Sequence, residues 1–492
     1  MPRLHFLAGM VAALVVTACS SGGPTYDPNR GLIMDSSQAR STSSGSSSGS
    51  GLSLGRLFGP SDSAGAGYAV GDEPYAVKAG AAVLAQGGSA ADAATAMYFT
   101  LAVTYPVSAG LGGGGLCVVY DAASGRSRAI DFLARNTAGG GAFAVPGNVR
   151  GMAALHDEFG TLPWARDVAY GEALAAAGFP VSSALAARLR AAQNVVRLDA
   201  GLAAEFLDES GQVKPVGTIV SNRALSETLD AIRRHGSASF YRGRVADRIV
   251  TYSTREGGTI SNADLAAYRV GLRDAQTMDI GSLRAYLPPA SVGAGSFAKA
   301  LLSRLVGADG TVAAANPAAA TRRAELAALN RFGVRNLPKD LGATGFAARD
   351  RRGQGVACAV TMNGPFGSGH TAQGTGVTLA NAPAAGRTGL AAAFLTPLLV
   401  TKDMSGPVVL PGEEGSRAVA LAGAGAGGPN GTAAIAYALL RMAMGEDMTK
   451  PGDVRAAGAT AYDTVNAIVC QHGICAVLPD PYAHGLGATA GG

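Results

Sequence analysis

The stretch Leu341 to Gly369, LGATGFAARDRRGQGVACAVTMNGPFGSG, decides how the rest of the chain is read. Its apolar runs, Phe346 to Ala348 and Val356 to Val360, flank the turn-forming residues Asp350 to Gly353, which is the pattern of a β-hairpin. Side chains alternate between the two faces of a strand, so Thr361 and Asn363, at the end of the second strand, leave the same face. That face looks toward the start of the first strand, where Thr344 stands. Small hydroxyl and amide groups thus gather at one end of the hairpin. An edge hairpin with polar ends and a reactive centre both fit that pattern.

Working outward, Pro74 to Gln86 reads as an alanine-rich helix stopped by Gly87-Gly88, and Ser89 to Asp92 gives a capping-box start to a second helix. Leu116 to Tyr120 and Arg128 to Phe132 read as strands around the turn Asp121 to Gly125. From Val149 to about Tyr268 the pattern is mainly helical, with Leu225, Leu229 and Ile232 on one stripe and Ser261 to Asp264 as another cap. Strands are expected to return around Ala343. Strands at both ends of a helical middle predict a layered α/β (α+β) body in which helices cover a mainly antiparallel sheet. A glycine-rich run, Val419 to Gly431, follows a strand and opens a helix predicted from Thr432 to Met444. Gly423, Gly425 and Gly428 satisfy G-x-G-x-x-G, but a dinucleotide site needs a further parallel strand, and Glu446 to Gly452 reads as a loop.

The chain has 492 residues, 48% of them hydrophobic and 15% charged, so it can bury a large core and is neither disordered nor a coiled coil. Its formal charge of +5 is small for the length, and the basic residues are scattered, which leaves no footprint for nucleic acid. The first residues, MPRLHFLAGMVAALVVTACSSGG, carry Arg3, an apolar run from Phe6 to Val16 and small residues before Cys19, which reads as an export signal over residues 1–18. Val16 to Cys19 resembles a bacterial lipobox, in which Cys19 is lipidated. Ser20 after it favours outer-membrane delivery, so the expected location is the cell envelope, on the periplasmic side of a lipid anchor. Residues 19–66 are dominated by Ser and Gly and read as a flexible tether. Gly45 to Gly49 matches G-x-S-x-G, but no strand precedes it and no helix follows it. Cys470 and Cys475, in CQHGIC, are expected to form a disulfide in an oxidising compartment, a metal pair with His472 being the competing reading. Cys117 and Cys358 lie in apolar strand runs and read as small core residues.

Three ordered motifs carry a resemblance: GDEPYAVKAGAAVLAQGGSAADAATA (Gly71 to Ala96), PVSAGLGGGGLCVVYD (Pro106 to Asp121) and VPGNVRGMAALHDEFGTLPW (Val145 to Trp164). Together they resemble the large subunit of γ-glutamyltransferases. The resemblance continues through Ala177 to Ser182, Ser237 to Val250, Gly257 to Val270 and Pro288-Pro289 into Phe366 to Gly369. It implies the four-layer αββα fold of N-terminal nucleophile hydrolases, with 67–342 as a large-subunit-like region and 343–492 as a small-subunit-like region carrying the hairpin.

In that family the precursor cuts itself before a threonine, whose hydroxyl is the nucleophile and whose freed α-amine is its base, with no cofactor or metal. The resemblance makes Thr344 the candidate nucleophile, Thr361 the residue that tunes its hydroxyl, Asn363 a substrate-orienting amide, and Gly427-Gly428 the oxyanion-stabilising pair. An ungapped register, however, places Ala343 at the nucleophile position, and a one-residue step turns a strand side chain to the opposite face. The arginine that would hold a γ-glutamyl carboxylate meets Leu133, and Arg135, on the same face of an extended segment, is the substitute candidate. The acidic pair meets Ala384 and Ala385, and the paired serines meet Ala393 and Phe394. The expected partner is a small γ-glutamyl amide or peptide such as glutathione. Two functions follow: an exported amidohydrolase or transferase, or a non-catalytic scaffold or binding protein on the same fold.

Overall fold

The structure, a computed structural model, describes residues 25–27, 31–33, 67–289, 294–313, 316–383, 389–403, 417–450, 452–455, 460 and 462–490. The expected signal, most of the tether and the lipidation candidate Cys19 lie outside the described residues. The chain divides into two compact units, Met1–Ser61 and Asp62–Gly492. In the first, β1 (Thr25–Asp27) and β2 (Gly31–Ile33) pair antiparallel.

In the second unit the chain runs through β3 (Tyr68–Gly71), β4 (Gly114–Asp121) and β5 (Arg126–Asp131). Two short ribbon strands follow, β6 (Phe179–Pro180) and β7 (Ile219–Val220), then β8 (Gly271–Arg273), β9 (Gln276–Ile280) and β10 (Leu283–Leu287). The hairpin is β11 (Ala343–Arg349) and β12 (Gly355–Thr361), after which β13 (His370–Ala372) pairs with β14 (Val377–Leu379). The last five strands are β15 (Thr396–Asp403), β16 (Arg417–Ala426), β17 (Thr464–Gln471), β18 (Ile474–Leu478) and β19 (Leu486–Thr489). Two large sheets result, a seven-stranded one in the order β19-β3-β11-β12-β4-β5-β8 and a six-stranded one in the order β18-β17-β16-β15-β10-β9.

The sheets pack face to face through Val70, Val118, Ala347, Ala357, Leu399, Val419 and Ile468. On the outside of the first sheet lie α1 (Pro74–Ala85), α2 (Ala90–Thr104) and α3 (Pro106–Ala109), with α4 (Asn148–Phe159) and α5 (Trp164–Ala177) packed on α2. Helices Ala294–Leu305, Pro317–Arg331 and Pro429–Ala443 cover the second sheet. This is the αββα layering, and its physical basis is legible in α2: every residue of that helix is buried, because it lies between the sheet on one side and α1 and α5 on the other. The capping box expected at Ser89 forms, with Asp92 accepting from the Ser89 backbone N–H.

Besides the short β6–β7 ribbon inside the helical stretch, strands return at Gly271, well before Ala343. β8 and β9 are the edge strands of the two sheets, and β9 mixes Gln276, Thr277 and Asp279 with Met278 and Ile280, so one face stays solvated and hydrophobic alternation is weak, while β10 lies inside the sheet between β9 and β15. The glycine-rich β16 is followed by a helix and then by an antiparallel neighbour, β17, so the dinucleotide topology is absent there. No helix among the described residues is long and apolar enough to cross a membrane.

Cys117 and Cys358, both buried, are more than core fillers. They stand opposite each other in the β4–β12 register and are joined in a disulfide. Cys470 and Cys475 are likewise joined, across the β17–β18 hairpin. Because the first bond closes a long loop of chain, a Cys117→Ala/Cys358→Ala double variant is expected to lose about 2–4 kcal/mol of unfolding free energy. Urea titration of the two proteins side by side measures the difference, and equal midpoints and slopes contradict it.

Candidate active site

The hairpin that opens the small-subunit-like region is held at both ends. At its turn, Asp350 Oδ1 accepts from the backbone N–H groups of Arg352 (2.8 Å) and Gln354 (3.0 Å), while Oδ2 accepts from Ala90 N–H (3.2 Å) at the start of α2. At the other end, Met362 N–H donates to the Gly342 carbonyl (2.9 Å) and Gly364 N–H to the Leu341 carbonyl (3.0 Å). Gly342 has φ of 56°, and a Cβ there would run into the Gly364 carbonyl, so only glycine fits this crossing.

These anchors fix the register, and the register fixes the chemistry. Ala343 stands opposite Thr361, and Thr344 opposite Val360. Directly opposed residues share a face of the sheet, so the methyl of Ala343, and not the hydroxyl of Thr344, lies beside Thr361. The Thr361 hydroxyl directs its proton at the carbonyls of Leu341 (2.9 Å) and Gly342 (3.1 Å) and accepts from Asn363 N–H (2.9 Å). The carbonyl of the peptide bond preceding Ala343 is therefore met by both Thr361 and Met362. Around the Ala343 methyl, Leu116, Ala359, Leu395, Ala424 and Ala426 form an apolar cluster, against which Leu133 packs.

Thr344 faces the helix layer, with Phe346 and Ala348. It is fully buried and donates to Asp72 Oδ2 at 2.6 Å. Asp72 Oδ1 accepts from Asn466 Nδ2 (2.7 Å), which also reaches the Gly345 carbonyl (2.9 Å). Burial pushes the Asp72 carboxyl up to about 6, while the Thr344 and Asn466 donors pull it down.

The glycine pair ends β16. Gly427 has φ of 87° and backs onto the Tyr462 carbonyl, and Gly428 precedes the helix Pro429–Ala443. Ala426, just before the pair, packs in the same cluster as Ala343. A carboxylate of the chain already lies at this helix start: Asp463 Oδ1 is 3.4 Å from Gly431 N, and its Oδ2 accepts from Thr460 N–H (2.9 Å) and Oγ1 (2.8 Å). The Tyr462 ring lies between the Arg188 guanidinium (5.3 Å) and Lys339 (5.7 Å). Arg188 Nη2 donates to both oxygens of Asp340 (2.7 and 2.9 Å), and Asp340 Oδ1 accepts from Gly342 N–H (2.8 Å). The residue before Ala343 is thus positioned by a buried ion pair.

The recognition candidates are placed as follows. Arg135 is half exposed, 3.6 Å from Asp131 and over the Tyr268 ring at 5.4 Å, so its charge is engaged by those two groups. Asn363, with φ of 57°, donates its amide to the Asn381 carbonyl (2.9 Å), and Asn381 returns a bond to the Asn363 carbonyl (3.0 Å). Ala393 and Phe394 are buried core residues. Ala384 and Ala385 lie outside the described residues. A cavity of about 780 Å³ opens elsewhere, among Asp199, Glu205, Asn222, Tyr252 and His370.

The sequence model of the family described as Gamma-glutamyltranspeptidase matches residues 76–324, just over half of the 492 residues. The chain belongs to the γ-glutamyltranspeptidase family. Among relatives of this γ-glutamyltranspeptidase-family chain, scoloptoxin SSD14 of Scolopendra dehaani is 35% identical over 235 residues, covering 44% of this chain and 41% of the toxin. Glutathione hydrolase 2 of Arabidopsis thaliana is 33% identical over 230 residues, covering 44% and 40%. The chain thus spans about two-fifths of the length of these curated relatives. Cephalosporin acylase from Bacillus halodurans superposes with a TM-score of 0.62 over 86% of this chain and 95% of that one, at 19% identity. The shared fold is the αββα fold of N-terminal nucleophile hydrolases expected from the sequence.

Sequence reasoning did not find Asp72 and Asn466 as partners of Thr344, nor Arg188 and Asp340 as anchors of Gly342. The available signals were an acid immediately after a strand, in Gly71-Asp72-Glu73, and an arginine on an otherwise apolar helical stripe, in Ala184 to Leu189.

Because the folded-state pKa of Asp72 is raised, its favourable contribution is complete below the unfolded value of 3.8 and is lost as pH rises through about 6. Thr344→Val removes a donor that lowers this pKa and leaves a carboxylate oxygen unmet, at a cost of about 1–3 kcal/mol. Urea midpoints of the variant are expected to fall further below wild type at pH 8 than at pH 5. A pH-independent difference contradicts the assignment.

Proposed function

We propose that this chain is a binding member of the γ-glutamyltranspeptidase family that keeps the frame of the amide-cleaving site, lacks the attacking group, and stays uncut. The observation that supports this reading is the β11–β12 register. It sets Ala343 opposite Thr361 and buries the Thr344 hydroxyl on the other face against Asp72. An N-terminal nucleophile must present its hydroxyl and its freed amine to one carbonyl, and a methyl at 343 has neither proton to give nor electrons to attack with. Around that methyl, Thr361 holds the chain's own Leu341 and Gly342 carbonyls and Asn363 holds Asn381, and this frame, with the Gly427-Gly428 turn, is the one we infer would receive an amide.

The ligand class we infer is a small amide or peptide, with glutathione and other γ-glutamyl amides first to be tried. Leu133 against the apolar cluster supplies no charge for a γ-glutamyl carboxylate, so binding is expected to be weaker than a buried arginine would give, by roughly 2–5 kcal/mol. We place the protein in the cell envelope, exported and anchored through lipid on Cys19, on the strength of the sequence alone.

A second reading, a γ-glutamyl amide hydrolase or transferase with Thr344 as nucleophile, is favoured by one observation: the Thr344 hydroxyl donates to a carboxylate at 2.6 Å, a base within reach. It requires cleavage after Ala343 and a turn of the Thr344 side chain across the sheet.

The two readings separate on γ-glutamyl anilides. The purified protein is expected to release no amine, whereas Ala343→Thr, which restores a hydroxyl opposite Thr361, is expected to produce two fragments, the smaller beginning at residue 343. Turnover by wild type that is abolished in Thr344→Ala contradicts the binding reading and supports the second.

A further inference from the structure

We propose that Asp92, His156 and Asp167, with the Leu162 carbonyl, form a binding site for a divalent transition-metal ion, of which zinc is the ion to test. The sequence reading assigned no metal. The site stands at the turn end of the hairpin, the opposite end from Ala343 and Thr361.

Three helix ends bring the donors together. Asp92 lies in the first turn of α2, His156 in the last turn of α4 and Asp167 in the first turn of α5. One donor atom from each falls within 4.8 Å of the others. His156 Nε2 is 3.8 Å from Asp92 Oδ1, 3.7 Å from Asp167 Oδ2 and 2.8 Å from the Leu162 carbonyl oxygen. With no donor separation above 4.8 Å, a point equidistant from the three side-chain donors lies at most about 2.4 Å from each, within a few tenths of an ångström of the bonds zinc makes to imidazole and carboxylate.

The second observation is Asp167 itself. Its side chain is fully buried, and neither oxygen has a hydrogen-bond partner. Asp92, by contrast, is fully met by Ser89, Thr161 and Leu162. Two buried carboxylates against one imidazole leave the pocket short of positive charge, and an unpaired buried carboxylate is costly unless a proton or a cation answers it.

Donor chemistry chooses among cations. Imidazole beside two carboxylates suits zinc and its first-row neighbours, whereas calcium and magnesium prefer oxygen alone. Binding uses the tautomer that carries its single proton on Nδ1, so the ring proton moves from Nε2 to Nδ1 as the Leu162 hydrogen bond is given up, and any proton on Asp167 leaves to solvent. Nδ1 has no partner in the metal-free geometry and is 3.9 Å from Asp157 Oδ1, the kind of carboxylate that orients a ligating imidazole. An ion here would tie α2, α4 and α5 where Asp350 and Gln354 of the hairpin turn accept from Ala90 N–H (3.2 Å) and Ala91 N–H (2.9 Å).

The test uses the purified full chain, dialysed against chelator and then titrated with ZnCl2, with MgCl2 and CaCl2 in parallel. Bound metal per chain is read by elemental mass spectrometry, and Tm by thermal unfolding. One zinc retained per chain and a rise in Tm of several degrees are expected, with no rise from magnesium or calcium. Asp167→Asn is a neutral isostere that suits the metal-free pocket, so it should fold with a metal-free Tm at or above wild type while losing both zinc retention and the zinc-dependent rise. Failure of wild type to retain zinc, or retention by Asp167→Asn equal to wild type, overturns the site.

Discussion

One constraint governs the reading of this molecule: the pairing of Ala343 with Thr361 at the mouth of the β11–β12 hairpin. A strand side chain has two faces to choose from, and a shift of one residue exchanges them for every position. Here the pairing cannot slip. Asp350 holds the turn against the start of α2, Gly342 crosses Gly364 where no Cβ fits, and the buried Arg188–Asp340 pair grips the Gly342 amide. The hydroxyl that chemistry would need is consequently on the helix side of the sheet, satisfied by Asp72, while a methyl occupies the face toward Thr361.

The surrounding frame behaves as though that face still mattered. Thr361 and Met362 converge on the carbonyl preceding Ala343, and the glycine pair makes its positive-φ turn at the end of β16. Substitutions around it are mutually consistent in the other direction. Leu133 packs against the apolar cluster of Leu116, Leu395 and Ala343, so the surroundings of the Ala343 methyl are apolar. The donors at this end of the hairpin are taken up by the chain's own Gly342 carbonyl, and beside them stands a methyl in place of a hydroxyl.

Much of the fold was legible because it rests on local patterns. The hairpin followed from apolar runs flanking a turn, and α2 from a capping box ahead of an alanine-rich run. Ordered motifs supplied the layering. Less legible were features made by residues remote in the chain: the partnership of Asp72 with Thr344, the Cys117–Cys358 bond across neighbouring strands, and the unmet Asp167 beneath His156. None of these leaves a periodic trace, since each depends on which strands or helices become neighbours. The edge strands β8 and β9 escaped for a different reason, because one solvated face dilutes the alternation that marks a strand.

A high-resolution crystal structure of the purified mature protein addresses the central claim most directly, through the electron density from Gly342 to Thr344. Continuous density across both peptide bonds, with the Thr344 hydroxyl on Asp72 and the Ala343 methyl beside Thr361, is the result this account requires. A chain break before residue 344, with its amine and hydroxyl beside Thr361, would contradict it.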